Sequence, residues 1–158
     1  MKQVLKTMCL AGLVAGVPGA AMAESARDRA DVIVPERWKN TYENWHFAPA
    51  VKIDGRIYLS GAVATPIDGD AVAGYHRVWQ RIEEILRASG ASLDDIVEMT
   101  TFHTDLQAQL PDFMAVKDDY IRAPYPAWTA IGITELATPA GIAEVKVVAH
   151  VSDVVPAQ

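Results

Sequence analysis

The chain has 158 residues, with 14 basic against 20 acidic side chains, a net charge of −6 and a single cysteine. That length suits one domain with a real hydrophobic core. The acidity argues against a nucleic-acid partner, which needs clustered Lys and Arg, and one cysteine excludes an internal disulfide framework.

Residues 1–23 read as a removable export segment. Lys2 and Lys6 make a basic start, Met8–Ala23 is an apolar stretch, and Ala21-Met22-Ala23 is a small-x-small cleavage site. The stretch is short for a membrane span, and Gly12, Gly16, Pro18 and Gly19 suit a packed helix poorly. An uncleaved anchor and a buried helix are the competing readings. Cleavage implies a periplasmic or secreted protein with no stable membrane insertion. It removes Cys9, and with it thiol chemistry, and takes the net charge from −6 to −8 by loss of Lys2 and Lys6. Residues 24–37 are expected to be a flexible leader, and 38–158 the folded domain.

Trp38, Tyr42, Trp45 and Phe47 crowd four aromatics into ten residues. They fit a first strand or arm packed on a sheet; a stacking wall for a ligand is the alternative. Ala50–Ile53, Asp54-Gly55 and Arg56–Val63 read as a hairpin, because Asp-Gly between β-rich runs specifies a two-residue type I′ turn. Ile57 and Leu59 face one side of it, Tyr58 and Ser60 the other. Thr65–Asp70 is a loop.

A helix is expected from Ala71 to Ser89. Val72, Tyr75, Val78, Trp79, Ile82, Ile85 and Leu86 repeat at three and four as one apolar stripe. Asp70 can cap its start and Gly90 marks its stop. Ile96–Thr104 is a strand in which Met99 and Phe102 both favour burial. A second helix is expected from Pro111 to Ile121, with Pro in its first turn and Phe113, Met114, Val116, Tyr120 and Ile121 buried. Lys117 on it reads as an ordinary exposed lysine. His46, His76, His103 and His150 are scattered without ligand spacing, so no metal site and no cofactor are expected.

The chain from Pro126 to Val151 reads as strand, turn and strand about Pro139-Ala140-Gly141. In the second strand Ala143, Val145, Val147, Ala149 and Val151 alternate with Glu144, Lys146, Val148 and His150. In the first, Thr129, Ile131 and Ile133 form the greasier set. If the two greasy sets share a core, Trp128 and Glu144 lie on the far face of one sheet. That face also carries Ala130, Gly132 and Val148, a mixture that calls for a cover, and a neighbouring subunit is the natural one. Along a hairpin Trp128 and Glu144 stand roughly 20 Å apart at ~3.3 Å per residue, so different chains must supply them to any shared site. Strand, strand, helix, strand, helix, strand, strand gives an α+β fold with two helices on one sheet face.

This strand pair, the "SGA" of Ser60–Ala62, the "ASGASLDDIVEMTTFHTDL" of Ala88–Leu106 and the "AEVKVVAH" of Ala143–His150 together resemble the Rid (reactive intermediate deaminase, YjgF-like) family, over residues 46–151. The resemblance implies a chorismate-mutase-like mixed sheet. It also implies a homotrimer whose three sheets enclose a central barrel, with a small-molecule pocket at each subunit interface. In active members the reaction is hydrolysis of imines or enamines. Phe47, Ser60 and Gly61 match pocket-lining positions, Lys117 falls where an asparagine is common, and Thr129 lies beside the anchor position. Glu144 matches the glutamate that orients water; a partner for Lys146 or a neighbour's lysine is the plainer reading.

One position departs from the family. Where active members carry an arginine that holds the substrate carboxylate, this chain has Trp128. Loss of such a two-bond pair costs about 2–5 kcal/mol. Trp128 offers an N–H and an aromatic plane, which suit a neutral, aromatic or cationic ligand. Some relatives carry a ribonuclease label, and the acidity counts against that here. Two functions are expected: an exported deaminase-like hydrolase of imines or enamines other than carboxylates, or a non-catalytic small-molecule-binding trimer of the same fold.

Overall fold

A computed structural model of the chain describes residues 24–152. The expected export segment, residues 1–23, lies outside the described residues. Among those residues no helix is long and apolar enough to cross a membrane.

The first local unit is the hairpin. Strands β2 (Ala50–Ile53) and β3 (Arg56–Leu59) pair antiparallel, with Ile53 opposite Arg56. Asp54 and Gly55 both take positive φ (49° and 73°), as a type I′ turn demands. Strand β1 (Asp31–Ile33) pairs with β2. A strand therefore forms inside the stretch read as a flexible leader; the free edge of β2 supplies partners that a short polar sequence does not advertise. The aromatic cluster is helical rather than extended. A single 3₁₀ turn at Glu36–Trp38 runs into α1 (Lys39–Trp45), which His46 ends in the left-handed region (φ 53°).

Helix α2 (Ala71–Ala88) forms as its sequence dictates. The Asp70 carboxylate accepts from the N–H groups of Val72 and Ala73, and Gly90 follows the helix at φ 77°. Tyr75, Val78, Trp79, Ile82, Ile85 and Leu86 are all buried, each worth about 1.5–3 kcal/mol of apolar transfer. Val72, read as part of the stripe, is exposed at the first turn. Helix α3 (Leu106–Tyr120) starts five residues earlier than expected, with Pro111 inside it. Asp105 caps it by accepting from Ala108 N–H. Phe113, Val116 and Lys117 face inward, Ile121 is buried just past its end, and Met114 is exposed.

One seven-stranded sheet runs in the order β1-β2-β3-β7-β5-β6, with β4 (Ala62–Ala64) also on β7. Strand β5 spans Ile96–His103, β6 Ala127–Gly132 and β7 Ala143–His150. The final pair is not a hairpin. Strand β5 lies between β6 and β7, parallel to β6 and antiparallel to β7. Helix α3 is the crossover that a parallel β5–β6 pair requires. Helices α2 and α3 cover one face, where Ile57, Leu59, Met99, Val145 and Val147 close the core. Strand β7 keeps its expected phase. Strand β6 has the opposite phase: Trp128 packs against the core, and Thr129 and Ile131 are exposed.

Gly74 lies where α2 crosses the loop after β4; a Cβ there would fall 2.4 Å from the Thr65 carbonyl oxygen. Alanine should therefore cost about 1–3 kcal/mol by overpacking, outweighing its helix-propensity gain of about 1 kcal/mol. A lowered urea midpoint for Gly74→Ala checks this; a raised one would show that the loop yields.

Candidate functional site

The site is set by a break between β3 and β4. Ser60 N–H donates to the Pro49 carbonyl (3.0 Å), and its hydroxyl donates to the Ala48 carbonyl (2.7 Å). These two bonds tie the chain to the segment entering β2, and pairing resumes on β7 at Ala62, opposite Val145. Gly61 sits in the break. An ideal Cβ on it would fall 1.6 Å from Glu144 Oε1, so the carboxylate occupies the space of the missing side chain.

Phe47, Ser60, Gly61 and Glu144, which the family resemblance implied as one pocket, line one open cleft of about 790 Å³ on the helix-free face. Phe102, opposite Glu144 in the β5–β7 register, and Tyr58 also line it. Neither was expected at the site from the sequence, although the hairpin alternation had put Tyr58 on the same side as Ser60. The rim at Ile133–Ala137, with the acid Glu135, carried no sequence signal. Among the described residues no ion pair takes up the Glu144 carboxylate, and Lys146, on the same face, does not bridge to it. No group of three or more His, Cys, Asp or Glu there is arranged to hold a metal.

Trp128 lies elsewhere. Its expected place on the same face as Glu144 is overturned by the phase of β6. The large indole goes under the helices, 6.2 Å from the Phe113 ring, and its N–H donates to Thr101 Oγ1 at 3.0 Å. That N–H is thus committed within the protein rather than offered to a ligand. Lys117 is only 6% exposed, against its reading as a surface lysine. Its ammonium meets Asp118 Oδ1 at 2.5 Å and lies over the rings of Trp128 (5.3 Å) and Tyr125 (5.7 Å). The apolar stem, the aromatic planes and the Asp118 carboxylate explain its tolerance of burial. Thr129 is exposed on the open side of β6, paired with Thr100, and lies outside the cleft. One copy of the chain therefore holds two separate groups, Phe47-Ser60-Gly61-Glu144 and Lys117-Trp128, on opposite sides of its sheet.

Thr101 links the second group to His103. The Thr101 hydroxyl is 3.1 Å from His103 Nε2, and the imidazole is edge-on to Phe113 at 5.0 Å. His103 is fully buried and its Nδ1 has no partner. Burial holds its pKa below the ordinary 6.5.

A mixed sheet with helices on one face and an acid-bearing cleft on the other defines an α+β protein with an open pocket on its uncovered side. Residues 40–151 match the Endoribonuclease L-PSP family, and the chain is a member of this Rid (YjgF-like) family. It is 32% identical over 127 residues to the RutC family protein YjgH of Escherichia coli K12, covering 77% of this chain and 95% of that one. It is 32% identical over 113 residues to the 3-aminoacrylate deaminase RutC of Acinetobacter baylyi, covering 66% and 86%. The solved structure of protein YjgH superposes with a TM-score of 0.71 at 30% identity, covering 79% and 98%.

Two outcomes follow from the buried group. Trp128→Phe removes the donor to Thr101 and should cost about 1 kcal/mol, read from the urea midpoint; no change would mean that the bond contributes nothing. Burial makes His103 take up a proton less readily when folded than when unfolded. Its stability contribution is therefore full above pH 6.5 and declines as pH falls below that value. Melting temperatures from pH 7.5 to 5 should drop less steeply in His103→Gln than in the wild type.

Proposed function

We propose that the chain is an exported, deaminase-like hydrolase of imines or enamines, acting as a trimer with one pocket at each subunit interface. The observation that carries this reading is the Glu144 carboxylate, seated against Gly61 in an open cleft without an ion-pair partner. A carboxylate so placed can take a proton from water as its oxygen adds to the imine carbon, and pass a proton to the nitrogen. The carbon–nitrogen bond then breaks, leaving a carbonyl compound and an amine or ammonia. Family membership supports the reaction class, since a relative is a 3-aminoacrylate deaminase.

The trimer is supported by what one copy lacks. One copy leaves the Glu144 cleft open to solvent, with Lys117 and Trp128 on the other side of its sheet and only Thr129, on the open side of β6, free to meet a neighbouring copy. The open face also leaves Tyr58 (41%) and Ile131 (38%) exposed, which favours a cover.

The pocket should discriminate against carboxylate substrates. The guanidinium expected of active members is replaced by an indole, and the ammonium beside it is already paired with Asp118. The same replacement favours a second reading, a trimer that keeps the pocket for binding and has lost turnover.

The test is amine or ammonia release by the purified protein on a panel of neutral and carboxylate imines, with its mass in solution measured alongside. Turnover of neutral imines is expected, with a loss of about 100-fold or more in Glu144→Gln. Gly61→Ala should lose activity as well, because its Cβ would displace the carboxylate. No turnover on any imine, with ligand binding retained, favours the binding reading. A stable monomer would remove the shared pocket altogether.

A further inference from the structure

A second cavity, of about 360 Å³, lies directly beside the Glu144 cleft. The aromatic arm builds one side of it, with Trp38, Thr41 and Trp45; Val63 and the part-buried Arg81 build the other. Phe47 and Gly61 line this cavity and the cleft alike, so one ring and one glycine are all that the two spaces share as a wall.

The walls are anchored. Arg37 bridges to Glu84 on α2 at 2.6 Å, and its guanidinium lies 5.5 Å over the Trp38 ring. Trp38 in turn meets Phe47 at 6.4 Å. Arg81 donates to the Val63 carbonyl at 3.3 Å, which fixes the opposite wall. Trp45 is 79% exposed, an indole that no contact within this fold requires. Thr41, Arg81 and the indole N–H groups aside, the side chains lining it are apolar or aromatic, which suits an apolar group and stacks well on an aryl one.

We infer that this cavity is a subsite for an aryl or branched-alkyl arm of the molecule whose reactive end lies at Glu144, so that the aromatic arm of the chain selects the substrate. The inference rests on the cleft being a ligand site, as proposed above. It names the substrate class as uncharged carbonyl-derived imines or enamines bearing a bulky apolar substituent. Phe47 is then a specificity residue at the junction of the two spaces, and the missing carboxylate anchor is offset by apolar contact.

Ketones stand in for the imine carbon in a binding test on the full chain. By titration calorimetry, benzylacetone should bind about tenfold or more tightly than methyl ethyl ketone, for the burial of one phenyl group. Glu144→Gln should keep that preference. Thr41→Trp, which fills the cavity from the arm, should reduce it to about twofold or less. Trp45→Ala removes a wall that the fold does not need and should reduce the preference by about threefold. Equal binding of the two ketones by the wild type, or a preference that survives Thr41→Trp in a folded protein, overturns the subsite. A preference for benzylacetone without turnover of its imine supports the subsite and removes the hydrolase reading, so the two failures are distinct.

Discussion

The Glu144 carboxylate occupies the volume that any side chain at position 61 would need. Much of the site's architecture serves that one close approach. Strand pairing is interrupted between Leu59 and Ala62, and two Ser60 hydrogen bonds hold the break against residues 48–49. Strand β7 can then pair with β3 at one end and β4 at the other. A glycine in a strand usually weakens it. Here the loss is offset by a seat for an acid that, among the described residues, faces the cleft without an ion-pair partner.

The helix-covered side follows a different logic. Trp128, Thr101, His103 and Phe113 form one buried unit, and Lys117 closes it with an ammonium over two rings. Where the family resemblance implies a cation aimed at substrate, this chain has an indole that stabilises its own core. The cation nearby is paired with Asp118. A buried ammonium deprived of that partner would carry a large desolvation cost, so the pair is better understood as a local requirement than as an idle charge awaiting a carboxylate.

The elements legible in the sequence were those whose evidence is local. Helix α2 has a stripe, a capping aspartate and a stopping glycine within twenty-one residues, Asp70 to Gly90. The Asp54-Gly55 turn names its own geometry, and β7 alternates with Val148 as its one apolar outward residue. Pairing was not legible. Pro139-Ala140-Gly141 looks like a hairpin turn, yet β5 comes between the strands it joins, and nothing near residue 140 signals a partner some forty residues upstream. Strand β6 was read in the wrong phase because Thr129 and Ile131 resemble a core set as well as Trp128 and Ala130 do; the largest side chain decided it. Pro111 misled because proline favours the first turn of a helix, where its missing N–H has no intrahelical partner, yet it stands sixth in α3. The cleft residues, by contrast, were found through their family positions, since strand alternation alone does not say which polar face binds anything.

The aromatic arm shows why composition understated the site. Four aromatics in ten residues were read as packing, and two of them, Trp38 and Phe47, do pack on one another. The stretch is helical, so its residues do not alternate between faces as they would in a strand. Trp38, Thr41 and Trp45 fall at spacings of three and four, which places them on one helical side. That side faces the cavity, and Phe47, beyond the left-handed turn at His46, is redirected to its junction with the cleft. A strand in this place would have alternated its aromatics between two faces and built no such wall. Helix against strand in these ten residues is thus the difference between aromatics split over two faces and aromatics gathered on one wall of the cavity.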